Sequence, residues 1–350
     1  MISLISKSWV VFVYAITISI ESIVIEYLTA SSFVRISPIM LSATGITLAG
    51  IMLLVVAYAL KSNRKISILF TKSWKNLIIS SLLLSFGIFT WYDSINRIGA
   101  SKEALIAGPL EIIIIVLLAQ VFLHERLNRF HFIGISVALL GFFISILSDT
   151  NIAAHDYIHT IKTTPSYGVL RSLLLSAITI VSFGDIEAIL SAFGFAGGVL
   201  FLTKLTKRYS SIEVAGASMF TSGLILVVSM IVGLLFYSTN RELLPSNEIS
   251  LSRQPLMPII IIFLLFSLLP FIGSLSYSNG LSKIGASLTS TIGSSSILMT
   301  VVLQLMLNEF GINSHLPENI FLAIFGGVTG FLGIYMIHIP RYSIPIANKK

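Results

Sequence analysis

The sequence predicts an all-α polytopic membrane protein with ten transmembrane helices, arranged as two inverted five-helix repeats. Of its 350 residues, 55% are hydrophobic and only 11% are charged, whereas soluble domains carry about 25% charged residues. So little polar surface cannot cover a globule in water. In addition, one segment occurs twice, because residues 91–125 return in weakened form at residues 277–309.

The repeated segment is recognisable at both of its ends. RIGAS, at residues 97–101, returns as KIGAS at residues 283–287. An apolar run follows each motif and closes on a glutamine, Gln120 or Gln304, with a glutamate five residues later. The offset between the two copies is two residues smaller at the closing glutamine than at the opening motif. The alignment of the copies therefore contains a two-residue gap within the apolar run. A duplicated segment of this kind indicates two related halves.

Ten stretches are long and apolar enough to cross a bilayer, which takes about 20 mostly apolar residues. They are residues 9–29, 38–60, 74–96, 102–123, 130–147, 186–205, 214–236, 257–280, 286–307 and 319–339. With five helices in each half, the second half enters the membrane from the opposite side, which makes the repeats inverted. We place the first repeat at residues 1–148, an outer linker at 149–184 and the second repeat at 185–350.

Lysine and arginine lie mainly on one side of these predicted helices. With the N-terminus inside, the inner segments hold fifteen of them and the outer segments seven. Because cytoplasmic loops carry the excess of basic residues, we predict a multi-pass protein of the cell membrane with both termini in the cytoplasm. The linker contains an apolar stretch at 169–183, which is either a short eleventh span or, as we prefer for a stretch containing Arg171, an interfacial segment.

Composition excludes several classes of protein. The chain has no cysteine, which excludes a disulfide framework, a thiolate metal site and a cysteine nucleophile. Its net charge of +7 fits basic cytoplasmic loops, and no basic run is interleaved with stacking aromatics, so nucleic acid is not an expected partner. No metalloprotease, serine-hydrolase or metal-spaced histidine motif occurs. We therefore expect no metal and no cofactor.

A helix that ends in (R/K)-x-G-A-S is followed here by a helix closing in FLHERL and by a glycine-containing helix, GISVALLGF. Further on, Gly184-Asp185 precedes IEAILSAFGFAGGVLFLTKLTKR. These motifs resemble the EamA-like branch of the drug/metabolite transporter superfamily. The resemblance covers essentially the whole chain and is strongest at residues 91–141 and 184–208. It implies a ten-helix permease that moves a small solute by alternating access, and it does not specify the solute.

Glu111 is the sharpest candidate for a functional residue. It lies near the middle of a predicted span, where an ionised group costs about 2.5–3.5 kcal/mol, so it should face the interior of the bundle. Its counterpart in the second repeat falls in the GSSS run at 293–296, so the acid would face small hydroxyls near the midplane, where carriers bind. Such a carboxylate either binds a cationic group, or takes up a coupling proton, or is a protonated packing residue.

Two other predicted helices carry polar side chains on one face. Glu21 shares a face with Tyr14 and Thr17 at helical spacing, either as a cavity wall or as a structural stripe. The third helix places Ser85, Tyr92 and Asp93 together. Asp93 is either a gate residue or half of an ordinary surface ion pair with Arg97 four residues on. The full set that we assign to the solute or coupling-ion cavity is Tyr14, Thr17, Glu21, Ser85, Tyr92, Asp93, Glu111, Asn279, Ser294 and Ser295.

The remaining polar residues read as structural. We expect Glu26 to be solvated near the outer end of its helix and the repeated glutamines to bond between helices. Trp91 is either a cavity wall or, as we prefer, an interfacial anchor. Four charged residues of the outer rim should also be solvated, and they are Lys102, Glu103, Asp185 and Glu187. Glycine pairs at small-xxx-small spacing, Gly194 with Gly198 and Gly326 with Gly330, should mark packing inside the bundle.

We therefore predict a secondary membrane transporter and not an enzyme. No basic residue lies near a helix centre, which disfavours anionic solutes, so we expect export of a small neutral, zwitterionic or cationic metabolite. Proton coupling through Glu111 is a hypothesis, and the carrier is a monomer or a homodimer in contact with membrane lipid. The alternatives are a non-transporting scaffold or sensor and an intramembrane aspartyl protease using Asp93 and Asp185. The sequence lacks the PAL tripeptide of that protease class.

Overall fold

The computed structural model describes residues 2–30, 36–60, 63–123, 129–148, 182–239, 256–312, 315–317 and 319–338. Within these ranges every regular element is a helix. In chain order the helices are α1 (Ile2–Ala30), α2 (Pro38–Ala59), α3 (Asn63–Lys72), α4 (Trp74–Ile98), α5 (Ala100–Leu123), α6 (Arg129–Leu147), α7 (Phe183–Thr206), α8 (Ser211–Thr239), α9 (Leu256–Ile284), α10 (Ala286–Gly293), α11 (Ser295–Glu309) and α12 (Ile320–His338).

Eight helical segments in the described ranges are long and apolar enough to cross a membrane. They correspond to α1, α2, α4, α7, α8, α9, the pair α10–α11, and α12. The described part of α6 contributes a shorter apolar stretch, Phe132–Leu147, and α5 carries Lys102, Glu103 and Glu111 along its length. The all-helical membrane architecture is therefore confirmed, and the count of ten spans stays a prediction. Most of the predicted interfacial stretch, residues 169–181, lies outside the described residues.

The RIGAS and KIGAS motifs form the same backbone hinge in both halves. Gly99 separates α4 from α5 with a φ of 82°, and Gly285 separates α9 from α10 with a φ of 83°. A positive φ is readily adopted only by glycine. The internal repeat predicted from the sequence is thus confirmed in the backbone.

Helix packing follows the same relationship between the halves. α2 packs against its counterpart α8, and α6 packs against its counterpart α12. The contact between α1 and α9 has its equivalent in the contact between α7 and α4. Exchanging the two halves therefore converts each of these contacts into another one or into itself, as two related repeats require.

Glycines allow the closest of these helix contacts. A methyl group added at Gly194 of α7 would lie 2.6 Å from the Cα of Gly87 in α4, and one added at Gly326 of α12 would lie 2.6 Å from the Oγ of Ser145 in α6. Gly198 and Gly330 likewise face α4 and α5 of the same chain. The prediction that these glycine pairs mark packing inside the bundle is confirmed.

Two helical features differ from the prediction. The inner segment between α2 and α4 contains a short helix, α3, which the 20-residue span criterion could not find. The ninth predicted span is divided into α10 and α11 at Ser294. There the hydroxyls of Ser294 and Ser295 donate to the carbonyls of Thr291 and Ile292 at 2.6 and 2.7 Å, and serine hydroxyls that compete for backbone carbonyls in this way bend helices.

The outward faces of the helices are strongly apolar. Val55, Leu265 and Phe321 are among the large hydrophobic side chains that are more than 60% exposed. In a bilayer these faces contact lipid tails, which solvate apolar side chains as well as a protein core does. The polar residues of the spans are consequently concentrated inside the bundle.

Candidate functional site

Two neighbouring cavities lie inside the bundle and share part of their walls. The larger has a volume of about 90 Å³ and the smaller a volume of about 40 Å³. Tyr14, Glu111 and Tyr277 line both cavities, and the rings of Tyr14 and Tyr277 lie 4.7 Å apart between centroids. These three residues therefore form a partition between the two spaces.

The larger cavity has a mainly apolar wall that draws on both halves. Its described lining contains two acids, Glu21 and Glu111, and no basic side chain. Pro270 and Gly273 of α9 belong to this wall, so the proline interrupts the backbone hydrogen bonding of α9 beside the cavity. The other lining residues are Tyr14, Ile18, Ile46, Leu84, Ile88, Trp91, Phe195, Val199, Leu202, Ser218, Met219, Ser274, Tyr277 and Ser278.

Glu21 is held at this wall by a neutral hydroxyl donor. The hydroxyl of Tyr92 donates to Glu21 Oε1 at 2.9 Å, and Tyr92 itself is fully buried. Its ring makes edge contacts with Trp91 and Phe266, at centroid distances of 5.2 and 6.2 Å. The packed ring fixes the hydroxyl and thereby the Glu21 carboxylate.

Trp91 lines the larger cavity and is buried, so the predicted interfacial anchor is wrong. Its Nε1 donates to Glu103 Oε2 at 3.1 Å, and the hydroxyl of Ser191 donates to Glu103 Oε1 at 3.4 Å. Glu103 is therefore buried behind the cavity wall and not solvated at the rim as predicted. The repeat contained a signal for a missed wall residue, because Tyr277 begins the second copy of the segment that Trp91 begins.

The smaller cavity is lined by polar groups of the break between α10 and α11. Ser290, Ser294 and Ser296 contribute to its wall together with Glu111, so the acid of one half faces hydroxyls of the other, as the alignment of the repeats predicts. The Tyr277 hydroxyl lies 3.1 Å from Ser290 Oγ. Glu111 is half-buried, and no hydrogen bond or ion pair to its carboxylate is formed by the residues that the structure describes.

Glu26 is buried in a network that joins the two halves, so the prediction that it is solvated is wrong. Its Oε2 accepts from the Ala100 amide at 2.9 Å and from Gln304 Nε2 at 2.7 Å, and its Oε1 accepts from the His315 amide at 2.6 Å. His315 Nδ1 lies 3.4 Å from Oε1. We call Glu26, Ala100, Ser101, Gln304 and His315 the Glu26 network.

Gln304 extends this network to the first-repeat hinge. Its Oε1 accepts from the Ser101 amide at 2.8 Å and also from the Ser101 hydroxyl. The predicted bonding of Gln304 between helices is thus confirmed, and the side chain of Gln120 lies outside the described residues. The hydrogen bond to Glu26 raises the pKa of the His315 imidazole, with partial burial opposing it.

The two glycine hinges have different surroundings. A Cβ at Gly99 would lie 2.5 Å from the carbonyl oxygen of His315, whereas a Cβ at Gly285 meets no described atom within 4 Å. The first-repeat hinge is therefore covered by a segment of the second half. Within the described residues, the second-repeat hinge has no such cover.

Charged residues of the predicted outer rim form buried ion pairs, so their predicted solvation is wrong. Lys102 Nζ lies 2.9 Å from Asp185 Oδ1, and both side chains are buried. The exposed Arg97 lies 3.0 Å from Asp93, as the i,i+4 spacing predicts, and also 3.0 Å from the buried Glu187. Asp93 and Asp185 pair with different bases, so the structure gives no support to an aspartyl protease dyad.

The remaining predicted cavity residues lie away from the two cavity walls. The hydroxyls of Thr17, Ser85 and Ser295 donate to backbone carbonyls one turn earlier, and Ser85 also donates to Ser222 of α8 at 3.0 Å. Asn279 is half-buried near the end of α9. The described residues include no group of three or more His, Asp and Glu that could hold a metal ion.

An all-helical bundle with two related halves, acidic internal cavities and lipid-exposed faces defines a multi-pass membrane protein of the transporter class. A model of the EamA-like transporter family matches residues 6–147 and 182–339. The chain therefore belongs to the EamA-like transporter family, within the drug/metabolite transporter superfamily, and the family match falls on the two halves.

Solved structures support the fold. Twenty-four chains of solved structures match this one. One of them, titled "Crystal structure of protein", is similar with a TM-score of 0.59 and 15% identity, over 97% of this chain and 99% of that chain. At this identity the likeness shows the fold alone. No curated protein matches the chain.

Proposed function

We propose that this protein is a secondary carrier that exports a small neutral, zwitterionic or cationic metabolite by alternating access. The observation that carries the proposal is the larger cavity, which draws on both halves and holds Glu21 and Glu111 without a basic side chain among its described lining. An anionic solute would meet two carboxylates and no counter-charge there. The cavity wall suits an apolar group, and the acids suit a hydrogen-bond donor or a positive charge.

Glu111 is the group that we propose to couple solute movement to protons. Its carboxylate has no hydrogen-bond or ion-pair partner among the described residues, and an unpaired charge inside a membrane-spanning bundle is costly. Proton uptake removes this cost, and proton release into the aqueous phase restores an acceptor for the solute. The position of Glu111 in the partition between the cavities lets one protonation event affect both spaces.

The predicted topology also gives the orientation of the bundle in the membrane. Ten spans in two inverted repeats, with both termini in the cytoplasm of a cell-membrane protein, place the Glu26 network and the Lys102–Asp185 pair at the outer end. These bonds join the halves there, as expected for a carrier whose outer side is closed. In the alternate state they would break, and the bundle would open toward the outside.

Cysteine labelling tests the proposal without a known solute. Because the chain contains no cysteine, Ser274→Cys would report on the larger cavity alone. We expect a membrane-impermeant thiol reagent, applied in sodium-free buffer to protein in liposomes, to label this cysteine from each side in turn as the pH gradient is reversed. Labelling from one side only under both gradients, or from neither in folded protein, would exclude alternating access.

The coupling role has its own variant in the same assay. Glu111→Gln should keep labelling but remove its dependence on the direction of the pH gradient, since the amide cannot take up a proton. Glu309→Gln is the matched control, because Glu309 is exposed at the end of α11, and it should behave as wild type. A gradient response that survives Glu111→Gln would assign coupling to another group.

A further inference from the structure

We propose that the smaller cavity is a sodium site, in which Na⁺ and a proton compete for the Glu111 carboxylate. This inference rests on the proposed carrier function and names a second coupling ion for it. Four features of the smaller cavity support the sodium site: the unpaired acid, the oxygen-rich wall, the helix break and the volume of the cavity.

The unpaired acid needs a positive partner. Glu111 lines the smaller cavity, and the described residues that line it with Glu111 include no lysine, arginine or histidine. Glu111 is half-buried and its exposed part faces the two cavities inside the bundle, where a charged carboxylate without a partner is costly unless it is neutralised. A proton neutralises it in one state, and a bound cation neutralises it in another.

The wall offers oxygen acceptors to a cation. The Ser294 hydroxyl donates its proton to the Thr291 carbonyl at 2.6 Å, so lone pairs of this oxygen remain for the cavity. One of the Ser290 and Tyr277 hydroxyls donates to the other at 3.1 Å, which leaves lone pairs on both oxygens. Carboxylate, hydroxyl and carbonyl oxygens are the ligands that hard cations prefer.

The helix break lies at the wall of this cavity. At Ser294 the helix changes from α-helical spacing, because the Ile297 amide donates to the Ser294 carbonyl three residues earlier, at 3.0 Å. In membrane carriers, discontinuous helices near the midplane provide the backbone oxygens that coordinate sodium. Gly293, next to the break, also lines the cavity.

Size and charge select a small monovalent ion. The cavity volume of about 40 Å³ exceeds the roughly 10–15 Å³ of space that a cavity needs to hold one water, so it has room for one small ion. A calcium ion takes about six to eight oxygen ligands, commonly from several carboxylates. One carboxylate balances one positive charge, which fits sodium.

The partition connects this ion to the solute. Tyr14, Glu111 and Tyr277 line both cavities, so an ion on the smaller side draws the Glu111 carboxylate away from the larger side. Sodium binding would thus leave the solute without its acceptor on Glu111. The ion and a cationic solute would then occupy the carrier alternately.

Thermal unfolding of the purified protein tests the site without any solute. Sodium chloride replaces choline chloride at constant ionic strength, with potassium chloride as the comparison ion. We expect a saturable rise in the unfolding midpoint with sodium and none with potassium. On the acidic side the apparent sodium affinity should fall about tenfold per pH unit, because one proton competes for the ligand. Equal responses to sodium and potassium, or none to sodium, would overturn the proposal.

Variants locate the effect. Glu111→Gln should abolish the sodium response, and Ser294→Ala should weaken apparent sodium affinity at least about tenfold, because the loss of even an outer-shell partner costs about 10–100-fold at metal sites. Ser80→Ala is the matched control, because Ser80 Oγ donates to the Gly198 carbonyl at 3.0 Å outside both cavities, and its sodium response should persist. A full response in Glu111→Gln would also overturn the site.

The two proposals fail in different ways. If sodium has no effect while Ser274→Cys is still labelled from alternate sides in sodium-free buffer, the sodium site is wrong and the carrier stands. If sodium stabilises the protein through Glu111 but labelling never alternates, the ion site stands and alternating access is wrong.

Discussion

Glu26 and Gln304 lie 278 positions apart in the chain, yet the Gln304 side-chain amide donates a hydrogen bond of 2.7 Å to the Glu26 carboxylate. The bond joins α1 of the first half to α11 of the second. The same two side chains accept the amides of Ala100 and Ser101, which begin α5 directly after the Gly99 hinge. One residue from each half therefore holds the hinge of the first repeat.

The first prediction concerns the energy of this connection. Glu26→Gln and Gln304→Leu should each lower the free energy of unfolding by about 2 kcal/mol, because Glu26→Gln replaces one acceptor oxygen by an NH₂ donor and Gln304→Leu leaves the Ser101 amide without its acceptor, so each leaves a buried donor unsatisfied. In the double variant the losses should fall short of additivity by more than about 0.5 kcal/mol. Denaturant unfolding in mixed micelles measures all four proteins, and strictly additive losses would show that the two side chains act independently.

The second prediction concerns pH and follows from His315. Its hydrogen bond to Glu26 raises the pKa of the imidazole in the folded protein above the unfolded value of about 6.5. The stabilisation is therefore complete below the unfolded pKa and is lost as the pH rises through the folded pKa. His315→Ala should lower the unfolding midpoint more at about pH 5.5 than at about pH 8.5.

A second variant checks the partner in that pH effect. In a Glu26→Gln background the imidazole faces a neutral amide in place of the carboxylate, so adding His315→Ala should change the unfolding midpoint equally at both pH values. The backbone bond from His315 to residue 26 persists in both proteins and does not titrate. A pH effect that survives in this background would assign it to another group.

The repeat and the central acid were predictable because their signals are local. The RIGAS and KIGAS motifs specify a glycine hinge through short-range backbone geometry, and the structure has it at Gly99 and Gly285 with nearly equal φ. Glu111 stands in a long apolar run, where lipid exposure is so unfavourable that only the interior remains. Neither inference requires knowing which helices pack against each other.

The buried acids near the helix ends were not predictable in the same way. Hydrophobic span rules give the depth of a residue along the membrane normal and say nothing of which neighbours surround it. Glu26 and Glu103 lie near helix ends, where water is the default partner, but Gln304 and Trp91 reach them from other helices. Those contacts depend on packing between segments far apart in the sequence.

The third prediction compares the two glycine hinges. Gly99→Ala and Gly285→Ala both place a side chain at positive φ with ψ of 160° and 169°, a region essentially restricted to glycine, which costs about 1–3 kcal/mol. Only at Gly99 would the methyl group also meet the His315 carbonyl oxygen, at 2.5 Å. Gly99→Ala should therefore be the more destabilising of the two and should displace His315 from Glu26. Equal losses of unfolding free energy would mean that the His315 backbone moves away from the new methyl group without loss of stability.

The pH effect gives an independent readout of that displacement. If Gly99→Ala moves His315 away from the Glu26 carboxylate, the pH dependence of the unfolding midpoint should decrease along with the stability. Gly285→Ala should leave the pH dependence as in wild type, because a Cβ there meets no described atom within 4 Å and does not contact His315. A wild-type pH profile in Gly99→Ala would show that the imidazole stays in place.

The fourth prediction concerns the contact between α4 and α7. Gly194→Ala would place its Cβ 2.6 Å from the Cα and N of Gly87 and 2.9 Å from the Leu83 carbonyl, all of them backbone atoms that side-chain rotation cannot move. The helices must separate, and overpacking of this kind costs about 1–3 kcal/mol. Gly233→Ala is the matched control, because a Cβ there meets no described atom within 4 Å, and the gain in helix propensity should raise stability by about 0.5–1 kcal/mol. Unfolding free energies that change in opposite directions would establish α4–α7 as a close backbone contact, and a neutral or stabilising Gly194→Ala would contradict it.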